Sequence, residues 1–218
     1  WLIQYLRNLL ISFYMQQAAN RVGVTIIAGF TVMNDYDGEV FHYIFSVAQP
    51  GAFTITMPAN LTVQVLDENF AELQRLTLFL NAVPRAISHA VVQGQILICS
   101  PDMPTLWGMV GGFLRVAVKV ASDNDGTPAI NVPRGIVTRC VNRFIICNGQ
   151  LAYISDPLTA TGGDARTFVA ENITQRPGAI FGCHEGAGGM MVLCTTVGVY
   201  GLDAGAFVVQ EVGSAGGD

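Results

Sequence analysis

From Val24 onward the chain is a succession of short apolar runs, each cut off within about ten residues by Gly, Pro, Asn or Asp. This punctuation restricts the fold more than any other feature. Runs 24–30, 40–47, 53–57 and 61–66 are rich in Val, Ile, Thr and aromatic residues, whose branched or flat side chains suit a pleated surface. Runs 87–92, 95–99, 114–121, 144–147, 150–154, 179–183, 190–195, 198–202 and 206–212 repeat the pattern. Asp37-Gly38 lies between two runs and tolerates positive φ, which predicts a hairpin there. Two stretches are ambiguous. Leu2, Leu6, Leu9, Leu10 and Phe13 have helical spacing within 1–21, although extended chain along a core fits them too. In 67–82, Phe70, Leu73 and Leu76 suit a helix, whereas Leu76, Leu78 and Leu80 alternate like a strand.

The expected fold is therefore all-β, mainly antiparallel and β-propeller-like, with one or two short helices at most. It reads as one β-rich region over 1–218, with a sub-boundary near 82–86. The first residue is Trp1 and the last six, 213–218, are Gly-rich, so a partial chain lacking sequence at both ends is expected. Gln93-Gly94-Gln95 opens a strand that ends in Ser100-Pro101-Asp102, and Asn148-Gly149-Gln150 opens one that ends in Ser155-Asp156-Pro157. The two glycines are 55 residues apart (149 minus 94), near the length of one propeller blade.

Composition narrows the function classes. Apolar residues make up 51% and charged residues only 12%, about half the usual charged share of a soluble domain. Such a chain must cover much of its surface. Its apolar stretches are broken by Gly, Arg or Thr well short of the roughly 20 residues that span a bilayer as a helix. Burial against sister subunits is the expected alternative. The five cysteines, Cys99, Cys140, Cys147, Cys183 and Cys194, form no C-x-x-C pair and sit in apolar runs, as buried free thiols do.

Groups for catalysis do not converge in the sequence. His42 and His89 lie inside strand-like runs. His184, in Cys183-His184-Glu185-Gly186, is followed by no second His at helical spacing, so it reads as a loop residue. Ser12, Ser46, Ser88, Ser100 and Ser155 lie in no G-x-S-x-G elbow. Gly108, Gly111 and Gly112 are not followed by the Gly-Lys-Ser/Thr of a P-loop. Asp123-Asn124-Asp125-Gly126 brings its Gly too early for a calcium loop and reads as a tight turn. No catalytic, cofactor-binding or metal-ligating residue is expected, and no cofactor. The net charge of −5, without a basic run, gives no footprint for gripping phosphate; walls of this character would let DNA slide.

The most distinctive wording runs from Val132 to Leu202. It opens Val132-Pro133-Arg134-Gly135-Ile136 and continues through Arg143-Phe144-Ile145-Ile146 to Tyr153-Ile154-Ser155-Asp156-Pro157. A loop with Arg166-Thr167-Phe168 follows, and the stretch closes with Thr195-Thr196-Val197-Gly198-Val199-Tyr200. In this order the chain resembles the propeller-type head-to-tail connector proteins of short-tailed phages, the packaged-DNA stabilisation (stopper) and tail-nozzle proteins. The turn at Ala28-Gly29-Phe30 is similar in placement to an N-terminal turn of that family, with Ala28 where the family has Pro. The resemblance covers about half of the chain and rests on strand-and-turn wording.

The resemblance implies a virion structural protein made in the host cytoplasm and housed in the phage tail or neck. It implies a homo-oligomeric ring, a hexamer, that contacts portal or adaptor and other tail proteins. Double-stranded DNA passes through such a ring during ejection without sequence-specific binding. Arg143, Ser155, Asp156 and Pro157 are then structural turn residues: Pro157 holds φ near −65° and biases Asp156 to extended geometry, and the Asp156 carboxylate is placed to accept turn N–H groups. The alternative from another class is a carbohydrate- or receptor-binding propeller module, to which Tyr36 between Asp35 and Asp37 points. A propeller-fold hydrolase is the third reading, and it lacks convergent His and carboxylates.

Overall fold

The computed structural model describes residues 24–35, 37–48, 59–119, 130–159, 165, 168–172, 180–185, 190–195, 198–203 and 208–214. The ambiguous stretch 1–21, the run 53–57, Tyr36 and the turn at Asp123–Gly126 lie outside them. The chain is all-β, mainly antiparallel and propeller-like. The described residues contain no helix, and four sheets are each a four-stranded meander in strict sequence order. It divides into two compact units between Val83 and Pro84.

The first unit holds the sheet β1 (Val24–Met33), β2 (Val40–Ala48), β3 (Ala59–Leu66) and β4 (Glu72–Leu80). The β1–β2 hairpin closes where expected. Gly38 takes φ 75°, its N–H donates to the Asn34 carbonyl at 3.0 Å, and the Asn34 N–H donates to the Glu39 carbonyl at 2.8 Å. Alternation explains the burial: Tyr43, Phe45 and Val47 of β2, Leu61, Val63 and Val65 of β3, and Leu78 and Leu80 of β4 form the buried face. The ambiguous 67–82 segment resolves as a turn and the strand β4. Its helical spacing loses to the alternation because a paired strand can bury Leu76, Leu78 and Leu80 on one side.

The second unit holds three four-stranded sheets. These are β5 (Ser88–Val92), β6 (Gln95–Ser100), β7 (Met103–Met109) and β8 (Arg115–Val116); then β11 (Ile136–Cys140), β12 (Arg143–Asn148), β13 (Leu151–Ser155) and β14 (Phe168–Asn172); then β15 (Ile180–Glu185), β16 (Met190–Thr195), β17 (Gly198–Asp203) and β18 (Val208–Ser214). A two-stranded ribbon of β9 (Val118–Lys119) and β10 (Ile130–Asn131) lies between the first and second of them in sequence.

The β11–β14 sheet is covered on both faces. Phe144 and Ile146 pack into a cluster with Leu97 and Cys99 of β6, whereas Ile145 and Cys147 join Met191 and Leu193 of β16. Successive β12 side chains point to opposite faces, so only a sheet covered on both sides makes four consecutive apolar residues all buried. The same reasoning applies to the uninterrupted Ile96–Cys99 run, in which all four residues are buried. Stacking of sheets through both faces of the middle one is the packing of propeller blades.

The structure corrects the expected repeat. Gly94 (φ 68°) turns the chain between the first and second strands of its sheet, and Gly149 (φ 61°) turns it between the second and third. The 55-residue match is thus one strand out of step. The structural repeat runs from Gln95 of β6 to Arg143 of β12 (143 minus 95, or 48 residues) and on to Met190 of β16 (190 minus 143, or 47). Cys99, Cys147 and Cys194 fall near the end of the second strand in each sheet, at the same register. The expected strand 114–121 is divided at Ala117, whose N–H leaves the β8 ladder to donate to the Thr105 carbonyl at 2.8 Å.

Candidate functional site

The residues singled out from sequence meet at one end of β12 and β13. Arg143 opens β12 and Ser155 closes β13, which brings them together across the hairpin. The Arg143 Nη1 donates to the Ser155 carbonyl at 2.6 Å, and the Phe144 N–H donates to Ser155 Oγ at 2.9 Å. Ser155 Oγ in turn donates to the Asp156 carbonyl at 2.9 Å. The chain beyond Pro157 returns to β12, because the Leu158 N–H donates to the Asn142 carbonyl at 2.7 Å and the Leu158 side chain is buried. Asp156 contributes its main-chain carbonyl to this knot, and the Ser155 hydroxyl carries the side-chain bonding. With Ser155 only 1% exposed and its oxygen engaged as donor and acceptor, the group is a clasp on two strand ends rather than a nucleophile open to a substrate.

A related device closes the preceding sheet. Ser100 ends β6 and is fully buried; the Asp102 N–H donates to its Oγ at 3.1 Å, and the Arg85 N–H donates to Asp102 Oδ2 at 3.1 Å. Ser88, at the start of β5, ties two sheets together. Its Oγ donates to the Cys99 carbonyl at 3.3 Å and accepts the Val137 N–H of β11 at 2.8 Å. Sequence reading passes over Ser88, because a serine that caps a neighbouring sheet has no local pattern. Thr105 adds a further tie, donating to the Pro133 carbonyl at 2.5 Å. On the outer part of that sheet, Trp107 donates from Nε1 to Gln95 Oε1 at 2.9 Å, and the Arg115 guanidinium lies 4.6 Å from the centre of the Trp ring.

The titratable side chains are dispersed. His42 is buried in β2, within 2.9 Å of Thr31 Oγ1 through Nδ1 and stacked on Phe70 at 4.4 Å. His184 lies in β15 and is exposed, so it is a strand residue and not a loop residue. Among the described residues no three His, Cys, Asp or Glu side chains gather in a way that could hold a metal ion. No helix among them is long and apolar enough to cross a membrane. Cys99, Cys140, Cys147 and Cys194 are free thiols. Burial pushes the Cys99 thiol up to about 12, against a smaller opposing effect of its hydrogen bond with Thr105.

These features define a propeller-like, all-β chain whose prominent polar residues hold strand ends together. Comparison with known proteins adds likeness of shape only. No family profile matches the chain, and no curated protein does. Among solved structures, it is similar to a HIRA fragment (residues 644–1017) at 9% identity and a TM-score of 0.38, over 87% of this chain and 55% of that one. It is likewise similar to an ACO/RPE65 chimera, at 12% identity and a TM-score of 0.37 over 88% of this chain and 51% of that one. A mutant of Synechocystis apocarotenoid oxygenase gives 12% identity and a TM-score of 0.39 over 86% and 50%. The chain spans about half the length of these proteins. Likeness at this level carries no functional argument.

Proposed function

We propose that the chain is a non-enzymatic structural subunit of a phage tail nozzle or head-to-tail stopper, part of a homo-oligomeric ring through which DNA passes. The observation that carries this reading is the use to which the family-like wording is put. The Arg-bearing strand and the Ser-Asp-Pro turn form a buried clasp between β12 and β13, so the residues that resemble the connector proteins serve architecture. The low charged share, 12%, fits a surface covered by sister subunits and neighbouring tail proteins, and the net charge of −5 fits a wall that does not hold phosphate. Burial of exposed apolar surface at about 25 cal/mol per Å² favours assembly over a free monomer.

The reading is tested with the purified protein and duplex DNA at physiological salt, by anisotropy of labelled DNA. No retained complex is expected. Tight binding that weakens steeply with added salt would mean a Lys- and Arg-lined site and would contradict it.

A further inference from the structure

The far edge of the first sheet is the most exposed apolar surface among the described residues. β4 ends the strand order, so one side of it has no neighbouring strand there. Its outward side chains are Arg75, Thr77 and Phe79, together with Leu73, the extra residue of the bulge opposite Leu66. Phe79 is 83% exposed and Leu73 47%. At the centre, Arg75 donates to Glu72 from Nε at 2.9 Å and from Nη2 at 2.6 Å, and Gln64 Nε2 donates to the same carboxylate at 2.6 Å. The charge between the two apolar ends is already neutralised within the sheet.

We infer that β4 pairs edge to edge, antiparallel and about a two-fold axis at Leu76, with β4 of a second copy of this chain. The pattern selects that partner and that register. In antiparallel pairing, residues directly opposite share a face, so the residue numbers of each pair must sum to one even constant. With Leu76 opposite itself, Leu73 meets the partner's Phe79 at both ends and Arg75 meets Thr77. Moving the axis to Arg75 sets two arginines opposite each other, and moving it to Thr77 sets Phe79 against Arg75. Only the Leu76 register mates both exposed apolar residues and opposes no like charges, which is the complementarity an isologous contact requires. An edge carrying large apolar groups is an association site unless something covers it. The inference does not rest on the ring reading, because a ring is closed by head-to-tail contacts on other surfaces.

Sedimentation of the full chain, wild type beside Phe79→Lys, tests the pairing. Phe79 is so exposed that the substitution leaves the fold intact, which an unchanged circular dichroism melt verifies. The expected result is a wild-type species of even copy number whose mass halves in the variant. A wild-type monomer at all concentrations, or a mass that Phe79→Lys leaves unchanged, overturns the inference. The register is tested by single cysteines. Arg75→Cys mixed with Thr77→Cys should cross-link under mild oxidation, and neither should do so alone, because the 75–75 diagonal of roughly 7–8 Å exceeds disulfide reach. Cross-linking of Arg75→Cys with itself contradicts the axis at Leu76. The ring is judged separately: a dimer dispersed by Phe79→Lys keeps the pairing and removes the ring, whereas a ring indifferent to Phe79→Lys does the reverse.

Discussion

The sheet β1–β4 and the sheet β11–β14 share one topology, a four-stranded antiparallel meander, but they differ in exposure. On β4 the burial alternates, with Leu78 and Leu80 inside and Thr77 and Phe79 outside. On β12 Phe144, Ile145, Ile146 and Cys147 are all buried, because neighbouring sheets cover both faces. The same backbone pairing therefore supports two energetic situations. In the first, half of each strand is free to contact another chain; in the second, every side chain belongs to the core and the polar residues left for function are those at strand ends.

The difference predicts a graded response to substitution. Phe144→Ala removes a fully buried ring between two sheets and should cost about 3–5 kcal/mol, whereas Phe79→Ala on the exposed edge should stay within about 0.5 kcal/mol. Denaturant unfolding of the two variants measures this directly, and similar costs would break the comparison. Gly135→Ala belongs with the large effects. At φ 152° its added Cβ would stand 2.2 Å from the Cys147 carbonyl oxygen, a clash with backbone that no side-chain rotation relieves.

Ser155→Ala is the next step down. It leaves the buried Phe144 N–H without its acceptor and should cost about 1–3 kcal/mol. Asp156→Ala should cost less, since the described side-chain bonds of the turn are made by Ser155. The reverse order in thermal melts would return the clasp to the Asp carboxylate. In the first sheet, Asp67 Oδ1 accepts the Asn69 N–H at 2.9 Å and the Ala71 N–H at 2.8 Å in an exposed turn, so Asp67→Ala should cost about 1 kcal/mol.

Much of this was legible before the fold. The uninterrupted run at Phe144–Cys147 could only suit a strand buried on both faces or a core helix, and its shortness between Asn and Gly decided for the strand. β7 was not legible. Pro104 and Gly108 interrupt its pattern, and the strand tolerates Pro104 because the ladder is irregular between Ile98 and Ser100. The blade repeat was misread because similar Gly-Gln turn wording serves two different hairpins. Of the candidate site, Arg143 and Ser155 stood out by type and spacing, but the Asn142–Leu158 bond is main chain to main chain and leaves no trace in side-chain identity.

Smaller effects come from titration. The Cys99 thiol is raised from 9.0 to about 12 in the folded chain, so the unfolded state loses its proton first. Its contribution is complete below about pH 9 and is lost progressively as pH rises toward 12. Cys99→Val should flatten that alkaline loss, seen in unfolding midpoints across the window; an unchanged slope would show that other groups govern it. In the first sheet, hydrogen bonds from Arg75 and Gln64 hold the Glu72 carboxyl below its usual range, so its contribution is present at neutral pH and fades as pH falls through the lowered value. The pair is exposed, and Glu72→Gln should cost about 0.5 kcal/mol or less.

The central claim, that this is a subunit of an assembled tail structure, is tested most directly by electron cryo-microscopy of the native particle formed by the protein. The account predicts a closed ring of identical subunits, with propeller-like sheets side by side and a channel whose wall is neutral or acidic. A stable monomer, or a ring lined with Lys and Arg that retains duplex DNA at physiological salt, would contradict it.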